Sequence, residues 1–315
     1  ILRFVGRRLA AALLLCFILS ILVFAGTQVL PGDAAQAVLG RNATPEAVDQ
    51  VRAQLNLDRP VIAQYTSWLS GIVRGDPGES LAARRPVADL IAGSVRNTAI
   101  LAAATLVVLI PLAVILGVIA GIRPGRAVDH AISGTTLALI SLPEFVTGTL
   151  LAIVLAVQLG LVPPVSFVPP GESPLSSPEL LILPALTLVL AGLAYTVRMV
   201  RAGVVEAMER EFVHAARLNG IPERRLVWRY ALPNALAPTV QVIALTMQYT
   251  VGGAVIVETV FQYPGVGLAL VQAVSARDIP TVQAIALLIG VTYILLNLLA
   301  DIVTMLLVPR LRTSL

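Results

Sequence analysis

The chain has 315 residues, of which 57% are hydrophobic and only 13% charged, whereas an ordinary soluble domain carries about 25% charged residues. That deficit turns much of the surface toward lipid and makes one membrane domain over 1–315 the expected organisation. All 22 basic residues are Arg, which excludes a P-loop Lys for ATP hydrolysis and a Schiff-base Lys; the net charge of +4 sits beside apolar runs and points to no nucleic-acid partner.

The first apolar run is Leu9 to Leu30, preceded by Arg3, Arg7 and Arg8. It exceeds the roughly 7–15 apolar residues of a signal peptide and reads as a true span. The second span is expected from about Ala99 to Ile122, with Pro111 inside and a Gly117/Gly121 pair that permits close helix approach. The third covers about Ser133 to Gln158, with Pro143 and Glu144 inside. The fourth covers about Leu180 to Val197, with Pro184. The fifth covers about Leu236 to Val257, and the sixth about Val282 to Val308, with Asp301 inside. The expected fold is thus all-α and integral to the membrane, with six spans. Prolines are tolerated inside spans where neighbours satisfy the freed carbonyls.

Arginine placement predicts the orientation. The N-terminus, the loop after span two (Arg123, Arg126), the loop after span four (Arg198, Arg201, Arg210, Arg217, Arg224, Arg225, Arg229) and the tail (Arg310, Arg312) together hold 14 arginines. With six spans these lie on one side. Both termini are therefore predicted to be cytoplasmic.

Two segments are not simple spans. The exterior segment 31–98 is too long for a bare loop and should have structure of its own. Thr44-Pro45-Glu46 reads as a helix start, with Val48, Val51 and Leu55 on one face and Asp58-Arg59-Pro60 as its end. A second short helix is expected at 61–72, followed by a turn at Gly75-Asp76-Pro77-Gly78. This segment is either a cap packed on its own helices or a docking surface for a soluble partner. The cytoplasmic segment 198–233 is helical in pattern, with acids early and arginines late, and Gly220-Ile221-Pro222 divides it. It is either a plain interfacial hairpin or a helix that docks into a cleft of another protein, with Ala215-Ala216 small enough for close approach.

Other chemistry is thinly represented. Cys16 is the single cysteine and lies in an apolar run, so no intrachain disulfide is possible. His130 and His214 are too isolated for a metal site, and no metalloprotease or nucleophile-elbow motif occurs. An intramembrane enzyme would need paired groups at depth; Glu144 and Asp301 qualify only by being acidic.

In segment 198–233, HAARLNG covers His214 to Gly220, nine residues follow, and Tyr230-Ala231-Leu232-Pro233 closes the stretch. This resembles the EAA-x3-G-x9-I-x-LP loop of ABC importer permeases, with His214 in place of Glu and Tyr230 in place of Ile. Further stretches are similar to the first permease of the dipeptide, oligopeptide and nickel importers: Asn56 to Ser80, Ser141 to Phe145, Tyr263 to Ala284 and Asn297 to Arg312, where Val308 replaces the usual Asp. The resemblance covers nearly the whole chain.

The resemblance implies a type I importer permease fold in a bacterial cell membrane, and no catalysis by this chain. His214, Ala215, Ala216, Arg217, Gly220, Ile221, Leu232 and Pro233 would form the coupling element that sits in a groove of an ATPase subunit. The implied partners are a homologous second permease, two ATPase subunits or one fused ATPase, an extracytoplasmic substrate-binding protein, a di- or oligopeptide substrate and membrane lipid. ATP and Mg would bind the ATPases, and this chain would bind no cofactor and no metal. Nickel is the alternative cargo; it favours nitrogen ligands, and no His falls in a span or exterior loop.

Candidate pathway residues are Glu144, Thr246, Gln248, Tyr249, Thr250, Glu258 and Asp301. An acid at mid-bilayer costs about 2.5–3.5 kcal/mol on insertion scales, so none should face lipid. Glu144 stands at the interface or on the pathway. Glu258 either lines the exterior gate or caps a helix. Asp301, at helical spacing from Asn297, either makes a hydrogen bond within the subunit or meets substrate.

Overall fold

The structure is a computed structural model that describes residues 2–28, 44, 58–169 and 171–307. The helix start expected at Thr44-Pro45-Glu46 and the tail from Val308 lie outside the described residues, Thr44 apart. Among the described residues all regular structure is helical: α1 (Leu2–Gln28), α2 (Val61–Val73), α3 (Val87–Gly121), α4 (Ala127–Ile140), α5 (Glu144–Leu151), α6 (Glu179–Met208), α7 (Glu211–Leu218), α8 (Leu232–Phe261), α9 (Val266–Ser275) and α10 (Ile279–Leu307). A π-helical turn, Ala152–Gln158, continues α5. Another, Leu226–Ala231, leads into α8.

Four helices are long and apolar enough to cross a membrane, or up to six if each of two bent pairs counts as one span. The pairs are α4 with α5 and its π-turn, bent by 103°, and the end of α8 with α9, bent by 69°. The third expected span, a single run from Ser133 to Gln158, is thus two helices. Pro143 causes the break. It disfavours helical backbone at Leu142, and its own extended backbone (ψ 146°) caps α5 instead. The helix that carries the fourth expected span, α6, runs on beyond Val197 through Arg198 and Arg201 to Met208. Helix propensity is indifferent to where the lipid ends, and arginine is a good helix former.

Small residues set how the helices pair. A Cβ built on Gly117 would lie 2.6 Å from Val200 Cβ, and one on Gly121 would lie 2.8 Å from Val204 Cβ. Further along, Gly192 faces Leu109 Cδ1 at 2.7 Å. The order of these contacts makes α3 and α6 parallel, and only glycines allow so close an approach. α1 and α10 run antiparallel. Thr27 meets Gln283 at one end, Leu19 packs on Gly290 midway, and Arg8 meets Asp301 at the other end.

The main core lies where α3, α6 and α8 meet, around Leu101, Leu183, Leu188, Val257, Phe261 and Tyr263. Outward residues of α1 such as Leu13 and Leu22 are exposed apolar surface, as a lipid-facing helix requires. α2 packs its aromatics on α1: Phe24, Tyr65 and Trp68 have ring centroids 5.4–6.1 Å apart, and Tyr65 shares a hydrogen bond of 2.8 Å with Ser20.

Candidate functional site

The charged segment after α6 folds back on itself. α6 ends at Met208 and α7 begins three residues later. Val213 and Ala216 turn inward against Leu226, with Met208, Ile221 and Tyr230 packed around them. The C-terminal end of α7 is closed by two backbone bonds: Gly220 N–H donates to Arg217 O at 3.0 Å and Ile221 N–H to Ala216 O at 3.3 Å. That double bond pattern needs a left-handed residue, and Gly220 supplies it at φ +79°. Arg217 forks onto Glu223 at 2.6 and 3.2 Å, tying α7 to the next turn. The hydrogen bonds it donates to Glu223 raise the Arg217 guanidinium pKa above its ordinary value.

The outer face of α7 consists of Phe212, His214, Ala215 and Leu218, and Leu218 is 77% exposed. The adjacent alanines therefore separate. Ala215 faces out, whereas Ala216 fills the chain's own interior. Leu232 is buried with Val200, Val204 and Val227, and Pro233 is the second residue of α8, directly after the π-helical turn.

The acids near the membrane are each held differently. Asp301 pairs with Arg8 of α1 at 2.8 Å rather than with Asn297. Glu258 is fully buried. Thr98 Oγ1 donates to its carboxylate at 2.6 Å, as do the amides of Gly267 at 2.6 Å and Leu268 at 3.3 Å. It thus caps the N-terminus of α9, where a carboxylate meets the positive helix end. Of the two expected readings, gate lining and helix cap, this enclosure fits the cap. Glu144 opens α5 half-buried; its Oε2 would lie 2.8 Å from a Cβ on Gly253 of α8, and that oxygen has no hydrogen-bond partner among the described residues.

On α8, Thr246 and Thr196 of α6 join hydroxyls at 3.1 Å. Gln248 is buried with Nε2 unpartnered among the described residues. The side chains of Tyr249 and Thr250 lie outside the described residues.

Several residues were not singled out in the sequence. Asp129, with its side chain 3% exposed, is gripped by Arg201 Nε at 2.5 Å and NH2 at 2.6 Å, and also accepts from Gly125 N–H at 2.8 Å and Ser133 Oγ at 3.3 Å. Asp278 binds Ser80 Oγ, Leu81 N–H and Thr281 Oγ1, fixing the strap before α3 to the start of α10. Among the described residues, no group of three or more His, Cys, Asp or Glu side chains could hold a metal ion.

The sequence matches two family descriptions end to end: "binding-protein-dependent transport system inner membrane component" over residues 113–313, and the N-terminal part of such membrane components over residues 1–114. The chain belongs to this family. A putative peptide transport system permease protein of Brucella abortus (strain 2308) is 35% identical over 306 residues, 97% of this chain and 98% of that protein. Its counterpart in Brucella suis biovar 1 (strain 1330) is 34% identical over 304 residues, 96% and 97% of the two chains. The glutathione transport system permease protein GsiC of Escherichia coli (strain K12) is 35% identical over 311 residues, 99% of each. The chain is accordingly an ABC importer permease, a non-catalytic membrane subunit of the dipeptide and oligopeptide type. The permease's distinctive surface is the outer face of α7, and its distinctive buried chemistry is Asp129 with Arg201.

Proposed function

We infer that this permease forms, with a homologous second permease, the path for di- or oligopeptides across a bacterial inner membrane. ATP hydrolysis occurs in separate ATPase subunits, which hold ATP and Mg, and the outer face of α7 docks into them. An extracytoplasmic binding protein delivers the peptide. The observation that carries this reading is α7 itself: its inner face, C-terminal cap and Arg217 fork fix it to the chain, while Phe212, Ala215 and Leu218 are exposed along its outer side. Exposed apolar groups gathered on one face mark a protein contact.

Six crossings with both termini cytoplasmic follow from the same reading. The parallel course of α3 and α6 suits one return crossing between them, the role this reading gives to the bent α4–α5 pair taken as one span. The antiparallel α1 and α10, with Arg8 beside Asp301, suit an even number of crossings. The arginine-rich side is then cytoplasmic. The peptide substrate class rests on the names of the relatives, which do not favour nickel. Tyr249, Thr250, Thr246, Gln248 and Glu144 remain the pathway assignment, and Glu258 and Asp301 act as structural ties at its edges.

Reconstituted ATPase activity tests the proposal. The permease, its partner permease and the ATPase subunits are placed in liposomes with and without binding protein and peptide. Hydrolysis should rise with peptide, and Leu218→Asp should cut the stimulated rate about tenfold, as truncated interface anchors do. Failure to recruit any ATPase subunit would overturn the coupling role of α7.

A further inference from the structure

We propose that Asp129 and Arg201 are positioning residues that clamp α4 to the distal half of α6, so that movement of α7 is delivered to the bent α4–α5 span. The proposal rests on the coupling role of α7 given above.

α4 has few other means of attachment. Of its residues only Asp129 and Thr136 are buried, and the Thr136 hydroxyl is spent on the helix's own carbonyls, Ile132 O and Ser133 O. Ile132 adds a partly buried apolar contact with Ala113, Leu193 and Val197. Among the described residues the ion pair is the polar side-chain connection between α4 and α6, beside their apolar packing. Its geometry is complete: both carboxylate oxygens meet the guanidinium fork, and Gly125 N–H and Ser133 Oγ fill remaining acceptor positions. Bidentate pairing fixes orientation as well as distance.

The clamp lies between α7 and the bent α4–α5 pair. From Arg201, α6 runs unbroken to Met208, about 10 Å at helical rise. α7 follows directly, and Arg210 at its start pairs back to Glu206 of α6 at 2.6 Å. From Asp129, α4 leads to the 103° bend, and α5 opens with Glu144, whose carboxylate rests against Gly253 of α8. The glycine contacts of α3 hold the same stretch of α6 from another side, at Val200 and Val204. A displacement of α7 thus has a stiff route to Glu144 through α6 and α4, and the ion pair is the joint between them. Packed joints of this kind pass on small shifts because they do not deform continuously.

The test uses the assembled importer in liposomes, with Cys16→Ser as background. Asp129→Cys and Arg201→Cys are combined, then bridged by a short bifunctional thiosulfonate reagent. The readout is the ratio of peptide-stimulated to basal ATP hydrolysis, with the thermal midpoint measured in parallel. Unbridged, the double variant should keep basal hydrolysis and lose roughly fivefold or more of the ratio, the lower range of allosteric coupling. Bridging should restore the ratio. Asp129→Asn, which still accepts from Gly125 N–H, should fall between. A pair that only stabilises the fold would lower the thermal midpoint and leave the ratio at the background value. That result, or a ratio that bridging abolishes, overturns the clamp. A background complex with no stimulation at all would instead overturn the coupling role of α7, and the clamp with it.

Discussion

Arg201 and Arg217 each grip a carboxylate with two nitrogens, at 2.5 and 2.6 Å in one case and 2.6 and 3.2 Å in the other. The settings are opposite. Asp129 is buried and receives two further hydrogen bonds, whereas Glu223 and Arg217 both stand in solvent, 62% and 42% exposed. A buried carboxylate that loses its partner is left as an uncompensated charge. An exposed one is simply rehydrated, so its pairing contributes little. Similar forks therefore do different work. The inner one fixes helices to each other, and the outer one trims the shape of a surface hairpin whose stability comes from Val213, Ala216 and Leu226.

Substitutions can break or sharpen that contrast, each read as the thermal midpoint of the detergent-purified complex. Glu258→Ala should cost the most, about 3 kcal/mol or more, because two buried amides and a partly buried hydroxyl lose their acceptor. Arg201→Ala should cost about 3 kcal/mol by stranding the buried Asp129 carboxylate. Gly117→Val should cost about 1–3 kcal/mol through overpacking against Val200. Glu223→Gln should leave the midpoint unchanged. A Glu223→Gln effect as large as that of Arg201→Ala would erase the distinction between the two forks.

Much of the fold is legible in the sequence because hydropathy runs and arginine placement respond to lipid directly. The ends of elements are less so. Nothing in the composition stops α6 at Val197, since a helix leaves the membrane without changing its backbone. Pro143 signals a break, but the 103° bend depends on what α4 and α5 each pack against. The same limit applies at the site. HAARLNG marks the segment and Gly220 its turn, yet which alanine faces outward is decided by Leu226, ten residues on from Ala216. Phe212 and Leu218 could have been noticed as apolar residues left over once Val213 and Ala216 are turned inward. Asp129 carries no local sign of its role. It stands among Arg123, Arg126 and His130, and its partner is 72 residues away. Glu258 gave one hint, the Tyr263-Pro264-Gly265 turn that starts a new helix within reach of its carboxylate.

The outward face of α7 is the central claim, and cysteine accessibility tests it most directly. In the Cys16→Ser background, single cysteines replace Phe212, Val213, Ala215, Ala216 or Leu218, and a membrane-impermeant thiol reagent is applied from the side carrying α7. Cysteines at 212, 215 and 218 should react in the permease pair alone and become protected when the ATPase subunits bind, while those at 213 and 216 stay unreactive throughout. Equal reactivity at 212, 215 and 218 with and without the ATPase subunits would contradict the account.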